Sequence, residues 1–304
     1  EYAEAHNNLG CALSGEHRFP EAVLEFKSAL EDNPDFAEAH NNLGYAYALQ
    51  GKVDEAIDEY RKAIRIDSGY APAYNNLGFA LAKQGNLDEA ISNFRKVVEL
   101  VPAKAAAEGN LGHALMAKGN VDDAIPHLKR ALDLGPETAE YHTNLGIALA
   151  KKGQLADAIP HFERALALSP DAVDAYYYLG KTLVMTGRGG EGLAYWRQAL
   201  NKDPDNLQVL NDAAWVLATS RDDAIRNGNA AMPLAEHAVE LTSARAPAIL
   251  GTLAAVYAET GHFDKAIELE QRATGLATQQ GNAALAQRLN ARLALYQNRT
   301  PIRQ

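Results

Sequence analysis

Five asparagines recur at one position of a 34-residue period, each directly before a Leu-Gly pair. A carboxamide both donates and accepts hydrogen bonds, so a row of them can engage the N–H and C=O groups of a peptide of any sequence. If each asparagine lies on its own helix, neighbours are about 8–10 Å apart, or about three residues of an extended chain. This asparagine ladder consists of Asn8, Asn42, Asn76, Asn110 and Asn144.

Further candidates for ligand contact flank the ladder. Asn41 and Asn75 precede ladder members and add amides to the same helices. Aromatic side chains make good interface anchors, and several lie one helical turn beyond the ladder position or close to it. These candidate pocket residues are Tyr45, Phe79, His113, Tyr177 and Tyr178.

Each candidate also has a structural interpretation. The asparagines could hydrogen bond between neighbouring helices, and the rings could pack between repeats. The peptide interpretation predicts that replacing Asn42 and Asn76 with alanine weakens a ligand and leaves the melting temperature unchanged. A neutral hydrogen bond contributes only about 0.5–1.5 kcal/mol, so the ladder alone would bind weakly.

The elements that position these residues follow from the Leu-Gly period. In residues 36–69 apolar residues recur with helical spacing on both sides of Gly51, and Asp54 stands where a helix cap is expected. A fixed period of this length indicates one helix–turn–helix unit stacked on copies of itself. Glycine inside a helix costs about 1 kcal/mol relative to alanine, so the repeated glycines predict close helix approach, with alanines such as Ala56 as the opposing surface.

The array divides by its regularity. We expect six regular units over 3–206, an irregular unit over 207–246, a further unit over 247–280, and a capping helix with a basic tail over 281–304. The extra residues around 220–231 predict a longer turn between two helices, with a short helix near 222–226. A loop that interrupts a regular array often carries function, and a neutral insertion is the alternative. Gly187-Arg188-Gly189-Gly190 is interpreted as a flexible turn.

The pattern of Leu43, Gly44, Tyr47, Ala56 and Tyr60 resembles the tetratricopeptide repeat (TPR), and it recurs over about residues 3–280. The resemblance implies an all-α, right-handed superhelical solenoid of about eight helix pairs with a C-terminal capping helix. It also implies that the first helix of each pair lines the inner face.

Two narrower resemblances concern function. The ladder is similar to that of the TPR region of O-GlcNAc transferases, where it holds the backbone of a threaded polypeptide. Tyr178, Asp212 and Thr252 stand at the ladder position of later units, so such a site would fade after the fifth unit. The segment from Trp215 onward is similar to the carboxyl-terminal part of bacterial TPR proteins that follow a glycosyltransferase-like membrane region.

Composition narrows the classes of partner. The formal charge of −10 argues against nonspecific nucleic-acid binding, which needs clustered Lys and Arg. A single cysteine, Cys11, excludes an internal disulfide and leaves the compartment undetermined, with the cytoplasm favoured and the periplasm as the alternative. No apolar run is long enough to predict a membrane span. The chain begins inside a repeat, so we expect it to be a segment of a longer protein.

Catalytic and metal chemistry find no supporting pattern. His6, His40 and His142 share one repeat position on the expected packing face of the first helix, a full repeat apart, which is too far for shared metal coordination. No Ser-His-Asp set, carboxylate pair or Cys-His arrangement has the context that catalysis needs. We therefore expect no cofactor, no metal and no enzymatic activity.

These observations predict a noncatalytic protein–protein interaction module, a scaffold or adaptor that receives a protein segment or extended peptide in its inner groove. One alternative is the substrate-recognition arm of a larger glycosyltransferase-like protein. Another is a structural scaffold that self-associates through its terminal repeats.

Overall fold

A computed structural model describes residues 2–304, and these residues form seventeen α-helices joined by turns, with no strand among them. The helices group into two compact units. Unit 1 holds α1 (Tyr2–Gly15), α2 (Phe19–Asp32), α3 (Ala37–Leu49), α4 (Val53–Ile66), α5 (Ala71–Lys83), α6 (Leu87–Leu100), α7 (Ala105–Lys118), α8 (Val121–Leu134) and α9 (Ala139–Lys151). Unit 2 holds α10 (Leu155–Leu168), α11 (Val173–Met185), α12 (Gly189–Lys202), α13 (Leu207–Thr219), α14 (Gly228–Leu241), α15 (Pro247–Glu259), α16 (Phe263–Gln279) and α17 (Ala283–Gln297).

A left-handed residue fixes the turn inside most hairpins. Gly51, two residues after the end of α3, has φ +79°. The Lys52 N–H donates to the Tyr47 carbonyl over 3.0 Å, which closes the last turn of the helix. Glycine adopts this conformation without the steric cost that a side chain adds. Equivalent turns recur at Gly85, Gly119, Gly153 and Gly187, and His17 holds the position in the first hairpin.

The helix after this turn begins differently from the sequence-based expectation. Helix α4 starts at Val53 with Lys52 at its N-cap, so the assignment of Asp54 as the cap is wrong. Asp54 lies in the first turn, where the partial positive charge of the helix N-terminus favours a carboxylate.

The Leu-Gly glycine allows two helices to touch. A Cβ on Gly44 would lie 2.8 Å from Cε1 of Tyr60 and 3.0 Å from the carbonyl oxygen of Ala56. Such distances are too short for real carbon atoms, so only glycine fits. The expected close approach is present, but the ring sixteen residues later is its nearest contact, ahead of the alanine. The same arrangement pairs Gly10 with Phe26, Gly78 with Phe94, Gly112 with Leu128 and Gly180 with Trp196.

The odd-numbered helices of unit 1 share one side of their hairpins. Each packs against the even-numbered helices beside it in unit 1, and α1 with α3, α3 with α5, and α7 with α9 also adjoin. Residues at one repeat position therefore recur along a common surface, which we name the odd-helix face of unit 1. The ladder positions lie on this face.

Unit 2 departs from the repeat at the hairpin of α13 and α14. Residues 220–227 link the two helices through a single turn, in which the Asp222 carbonyl accepts from Ile225 N–H at 3.1 Å and Arg226 N–H at 2.9 Å. The expected short helix near 222–226 is therefore absent. The interpretation of Gly187–Gly190 as a turn is also corrected, because Gly189 and Gly190 already belong to α12.

Helix α17 and the residues after it complete unit 2. Leu289 and Tyr296 of α17 are buried, and Ile302 inserts into the same apolar cluster as Tyr296. The Gln304 N–H then donates to the Thr219 carbonyl at 2.8 Å. The expected capping helix is confirmed, and the tail after it folds back onto the end of α13. Within residues 2–304, no helix combines the length and apolar character needed to cross a membrane.

Candidate functional site

The ladder asparagines of unit 1 bridge successive repeats. Asn42 Nδ2 donates to Asn7 Oδ1 at 3.0 Å, and Asn76 Nδ2 donates to Asn41 Oδ1 at 2.9 Å. Asn110 repeats the bond with the Oδ1 of Asn75 at 2.8 Å. Each bond joins a ladder residue to the asparagine before the ladder position of the preceding repeat.

A carboxylate fixes the direction of the first bridge. Asn7 Nδ2 donates to Glu38 Oε1 at 3.4 Å, and an ionised carboxylate can only accept. The Oδ1 of Asn7 must therefore face Asn42, whose amide must donate. Each bridge uses one of the two N–H groups of the ladder amide. The Oδ1 of Asn42 also accepts from Asn41 Nδ2 at 3.4 Å, so both ends of that carboxamide have partners within the protein.

This geometry supports the structural use of the amide donors that the sequence left open. Asn7 and Asn41 are only 2% and 6% exposed, whereas Asn42 and Asn76 are half-buried, so one partner of each bridge still reaches the surface. The expectation that alanine at Asn42 and Asn76 leaves stability unchanged is therefore revised.

The ends of the ladder lack the bridge. Asn8 is exposed on α1. Asn144 on α9 is half-buried, and Gly109 stands where the preceding repeat would supply its partner. The ring of Tyr141 covers that glycine, since a Cβ on Gly109 would lie 2.8 Å from Tyr141 Cε1. Asn144 therefore makes no side-chain hydrogen bond with any residue of the described chain.

Two pockets open beside the ladder, one repeat apart. The first has a volume of about 370 Å³ and lies between α1, α2 and α3, with Asn42, Tyr45 and Leu49 along its lining. The second has a volume of about 260 Å³ and is lined by the residues one period later, Asn76, Phe79 and Lys83, together with Tyr45. Tyr45 borders both pockets.

The rings at these pockets are unusually accessible for their size. Tyr45 is 49% exposed and Phe79 is 48% exposed, whereas the Leu-Gly leucines of the same helices, Leu43 and Leu77, are each 3% exposed. Phe79 also contacts Phe94 edge to face, with ring centroids 5.2 Å apart. Accessible rings beside half-buried amides match the composition of peptide-binding surfaces.

The remaining candidate rings fall into different environments. His113 is exposed on α7, at the position of Tyr45 and Phe79. Tyr178 is half-buried in unit 2, where it lies 6.1 Å from the Phe162 ring centroid. Tyr177 is only 6% exposed and stacks on Trp196, so its assignment to a surface pocket is wrong.

Tyr177 instead forms the equivalent bridge between repeats with a hydroxyl group and a carboxylate in place of two amides. Its hydroxyl donates to Asp212 Oδ2 at 2.9 Å, across the same two repeat positions that the asparagines join in unit 1. Burial raises the pKa of Tyr177 to about 12, so the hydroxyl keeps the proton that it donates. The bridge between these two repeat positions therefore does not require asparagine.

Two histidines of the first-helix position, His6 and His40, hydrogen bond to a glutamate of the second helix of their hairpin. His40 Nδ1 lies 2.6 Å from Glu59 Oε2, and both side chains are buried. In a later hairpin the two residue types are exchanged, with Glu108 on the first helix and His127 on the second, 2.6 Å apart. An arrangement that tolerates this exchange is structural, and among residues 2–304 no group of three or more potential ligands could hold a metal ion. His6 pairs with Glu25, and His142 is buried in α9.

Comparison with known protein families identifies this repeat. One family model described as tetratricopeptide repeat matches residues 7–71, 110–173 and 143–206, and a second with the same description matches 71–103. Together they span more than half of the chain. The chain belongs to the tetratricopeptide repeat family.

Solved TPR structures share the fold. YrrB, described as a TPR protein with an unusual peptide-binding site, is 26% identical with a TM-score of 0.53, over 62% of this chain and 96% of YrrB. MamA is 27% identical with a TM-score of 0.50, over 53% of this chain and 95% of MamA. PilF of Pseudomonas aeruginosa is 21% identical with a TM-score of 0.63, over 70% of this chain and 97% of PilF, which shows the fold alone. No curated protein sequence matches the chain.

Membership of the TPR family gives the general role. The fold is that of a protein-interaction scaffold. Leu49 and Lys83 line the two pockets although the sequence analysis did not select them. Each stands four residues after its pocket ring, Tyr45 or Phe79, so the i, i+4 spacing on one helix face could have identified them.

Proposed function

We propose that the odd-helix face of unit 1 binds an extended peptide, as the noncatalytic recognition surface of a scaffold or adaptor. The observation that carries this proposal is the pair of equivalent pockets, each with an accessible ring and a ladder asparagine. Their one-repeat spacing of about 10 Å corresponds to about three residues of extended chain. A ligand with apolar side chains at every third position would fill both pockets.

The polar part of the interaction follows from the bridges. Because each bridge uses one of the two N–H groups of the Asn42 and Asn76 amides, the ladder would contribute its carbonyl oxygens and its remaining N–H groups. These oxygens accept backbone N–H groups of the ligand and select no particular side chain. The 26% identity with YrrB supports the proposal, since that TPR protein is described as having a peptide-binding site.

The test uses peptides selected from a random phage-displayed library against the full chain. Affinity is then measured by fluorescence anisotropy for the wild type and for Tyr45→Ala combined with Phe79→Ala. Removing two anchors that each bury a ring, at about 1.5–3 kcal/mol each, should weaken binding by at least about a hundredfold.

Leu24→Ala is the matched control, because Leu24 on α2 is 64% exposed and lines neither pocket. Its affinity should equal that of the wild type. Peptides that bind the double variant as tightly as the wild type would show that recognition does not use this face.

A further inference from the structure

A cavity of about 640 Å³ lies in unit 2 where the repeat pattern breaks. It is open to solvent on one side and bounded by α12, α13, α14 and the link of residues 220–227. Its volume falls within the range of about 300–1,000 Å³ typical of small-molecule sites. Most of its walls are apolar. They include Leu193, Trp196, Leu200, Leu217, Ile225 and Leu234.

The link forms a fixed wall of this cavity. Ile225 packs over the first residue of α12, where a Cβ on Gly189 would lie 2.7 Å from Ile225 Cδ1. The Asn227 N–H donates to the Leu217 carbonyl at 2.8 Å, which ties the end of the link to α13. The cavity is therefore formed before any ligand arrives.

Arg226 holds the middle of the same wall. Its Nε donates to Glu259 Oε1 at 3.0 Å and its Nη1 donates to the Ser220 carbonyl at 2.8 Å. Its remaining nitrogen pairs with Asp223. The charges of Arg226 and Asp223, which both line the cavity, are thus already used within the protein.

Arg197 is the charged lining residue with no such partner. It is exposed on α12 and makes no ion pair or side-chain hydrogen bond with the described part of the chain. The cavity therefore joins an apolar interior to one available guanidinium, in a chain whose formal charge is −10. A guanidinium can bind a carboxylate through two parallel hydrogen bonds.

We propose that this cavity binds a small amphiphilic anion, namely an alkyl chain that ends in a carboxylate. The hydrocarbon lies against the leucines and Trp196, and the carboxylate binds Arg197. This site is separate from the odd-helix face of unit 1 and does not depend on the peptide-binding proposal.

The protein carries its own reporter for the test. Trp196 and Trp215 are its two tryptophans, so Trp215→Phe leaves Trp196 at the cavity wall as the source of tryptophan emission. Dodecanoate, kept below its micelle concentration, is titrated into this variant. We expect a saturable change of emission, and a dissociation constant at least about tenfold weaker for dodecanol and for dodecyltrimethylammonium, which lack the charge-assisted bond to Arg197.

Variants then locate the site. In the Trp215→Phe background, Arg197→Gln should weaken dodecanoate at least about tenfold and leave dodecanol unchanged. Arg288→Gln, at an exposed arginine of α17 away from the cavity, should bind as the parent does. Ala230→Phe fills the cavity from an exposed lining position and should abolish the response.

Circular dichroism establishes that each variant is folded, and Ala194→Phe on α12 serves as a second filled variant. Three results would overturn the proposal: no saturable response in the parent, equal affinity for dodecanoate and dodecanol, or undiminished binding by a folded variant whose cavity is filled.

Discussion

The side chains of Asn42 and Asn76 form hydrogen bonds within the protein, so they contribute to its stability whether or not a ligand is bound. Alanine at Asn42 would leave the buried Oδ1 of Asn7 without its donor, and an unsatisfied buried polar atom costs about 1–3 kcal/mol. We expect Asn42→Ala and Asn76→Ala each to lower the midpoint of urea denaturation, followed by circular dichroism. A midpoint that equals that of the wild type would contradict the bridge.

Asn144→Ala is the matched control for this prediction. Asn144 shares the repeat position and the half-burial of Asn42, but Gly109 offers it no amide. Its substitution should leave the midpoint within experimental error of the wild type. If it destabilises as much as Asn42→Ala, the position matters for a reason other than the bridge.

The sequence contained a signal for this distinction. Asn7, Asn41 and Asn75 stand before ladder members in the first three units, and each is the acceptor for the ladder residue 35 positions later. The second asparagine in these three units therefore indicated a hydrogen bond to the ladder residue of the next repeat. Gly109, which has no side chain at the same position, indicated where these bonds stop. Spacing alone could not show this, because the bridge joins different positions of adjacent repeats.

At the scale of helices, the sequence period predicted the features that recur in each repeat. It did not predict the conformation of the link between α13 and α14, which occurs once. The capping helix expected within residues 281–304 is present as α17 (Ala283–Gln297). The hairpin turns and close contacts at the Leu-Gly glycines also follow from the period, because equivalent residues meet equivalent neighbours. The predicted alanine does face the glycine, as Ala56 faces Gly44, but the side chain sixteen residues after the glycine lies nearer, which the period alone did not indicate.

The link between α13 and α14 shows why the nonrepeating features could not be predicted from the sequence. Its conformation depends on contacts far along the chain, such as Arg226 with Glu259 and the Arg221 N–H with the Gln304 carbonyl at 3.1 Å. The carboxyl-terminal tail and the link are hydrogen bonded to each other, and a local sequence pattern cannot predict a contact between residues so far apart in the chain. The cavity beside the link was invisible for the same reason.

The hairpin of α16 with α17 contains a buried acid. Glu270 is fully buried, and neither carboxylate oxygen has a hydrogen-bond partner within residues 2–304. Arg292 and Tyr296 of α17 are the ionisable groups that act on it. Burial raises the pKa of Glu270 from 4.5 to about 8, and Arg292 offsets only part of this rise.

A raised carboxyl pKa makes this element pH-sensitive. Between pH 4.5 and pH 8 the unfolded chain releases the proton that folded Glu270 retains, so the free energy of unfolding falls as pH rises through this window. The slope is about 1.4 kcal/mol per pH unit. Glu270→Gln should remove this component, and it should raise the melting temperature more at pH 8 than at pH 5.

Glu268→Gln is the control, because Glu268 lies on the same helix with its side chain exposed. Differential scanning calorimetry of both variants across this pH range separates the buried carboxyl from the general acidity of the chain. Equal pH dependence in the wild type and in Glu270→Gln would show that Glu270 is ionised in the folded protein.

For the molecule as a whole, the final helix and the residues after it have two opposing effects on self-association. They cover apolar surface, which opposes association, and they make the net charge less negative, which favours it. Helix α17 covers an apolar cluster in which Leu289 packs with Leu250, Ala273 and Ala277. It also belongs to a terminal segment with four arginines and no acid. These four arginines reduce the magnitude of the negative formal charge of the chain.

Removing residues 283–304 tests which effect prevails. The deletion exposes the Leu250 cluster, which favours self-association, but it also takes the formal charge from −10 to −14, which opposes it. We expect the apolar surface to dominate, so the mass measured by light scattering should rise with concentration for the deletion and stay constant for the full chain. Replacing the same four arginines with glutamine gives the −14 charge with the helix in place, and this variant should keep a constant mass. A constant mass for the deletion as well would mean that the exposed cluster is too small to drive association against the added charge.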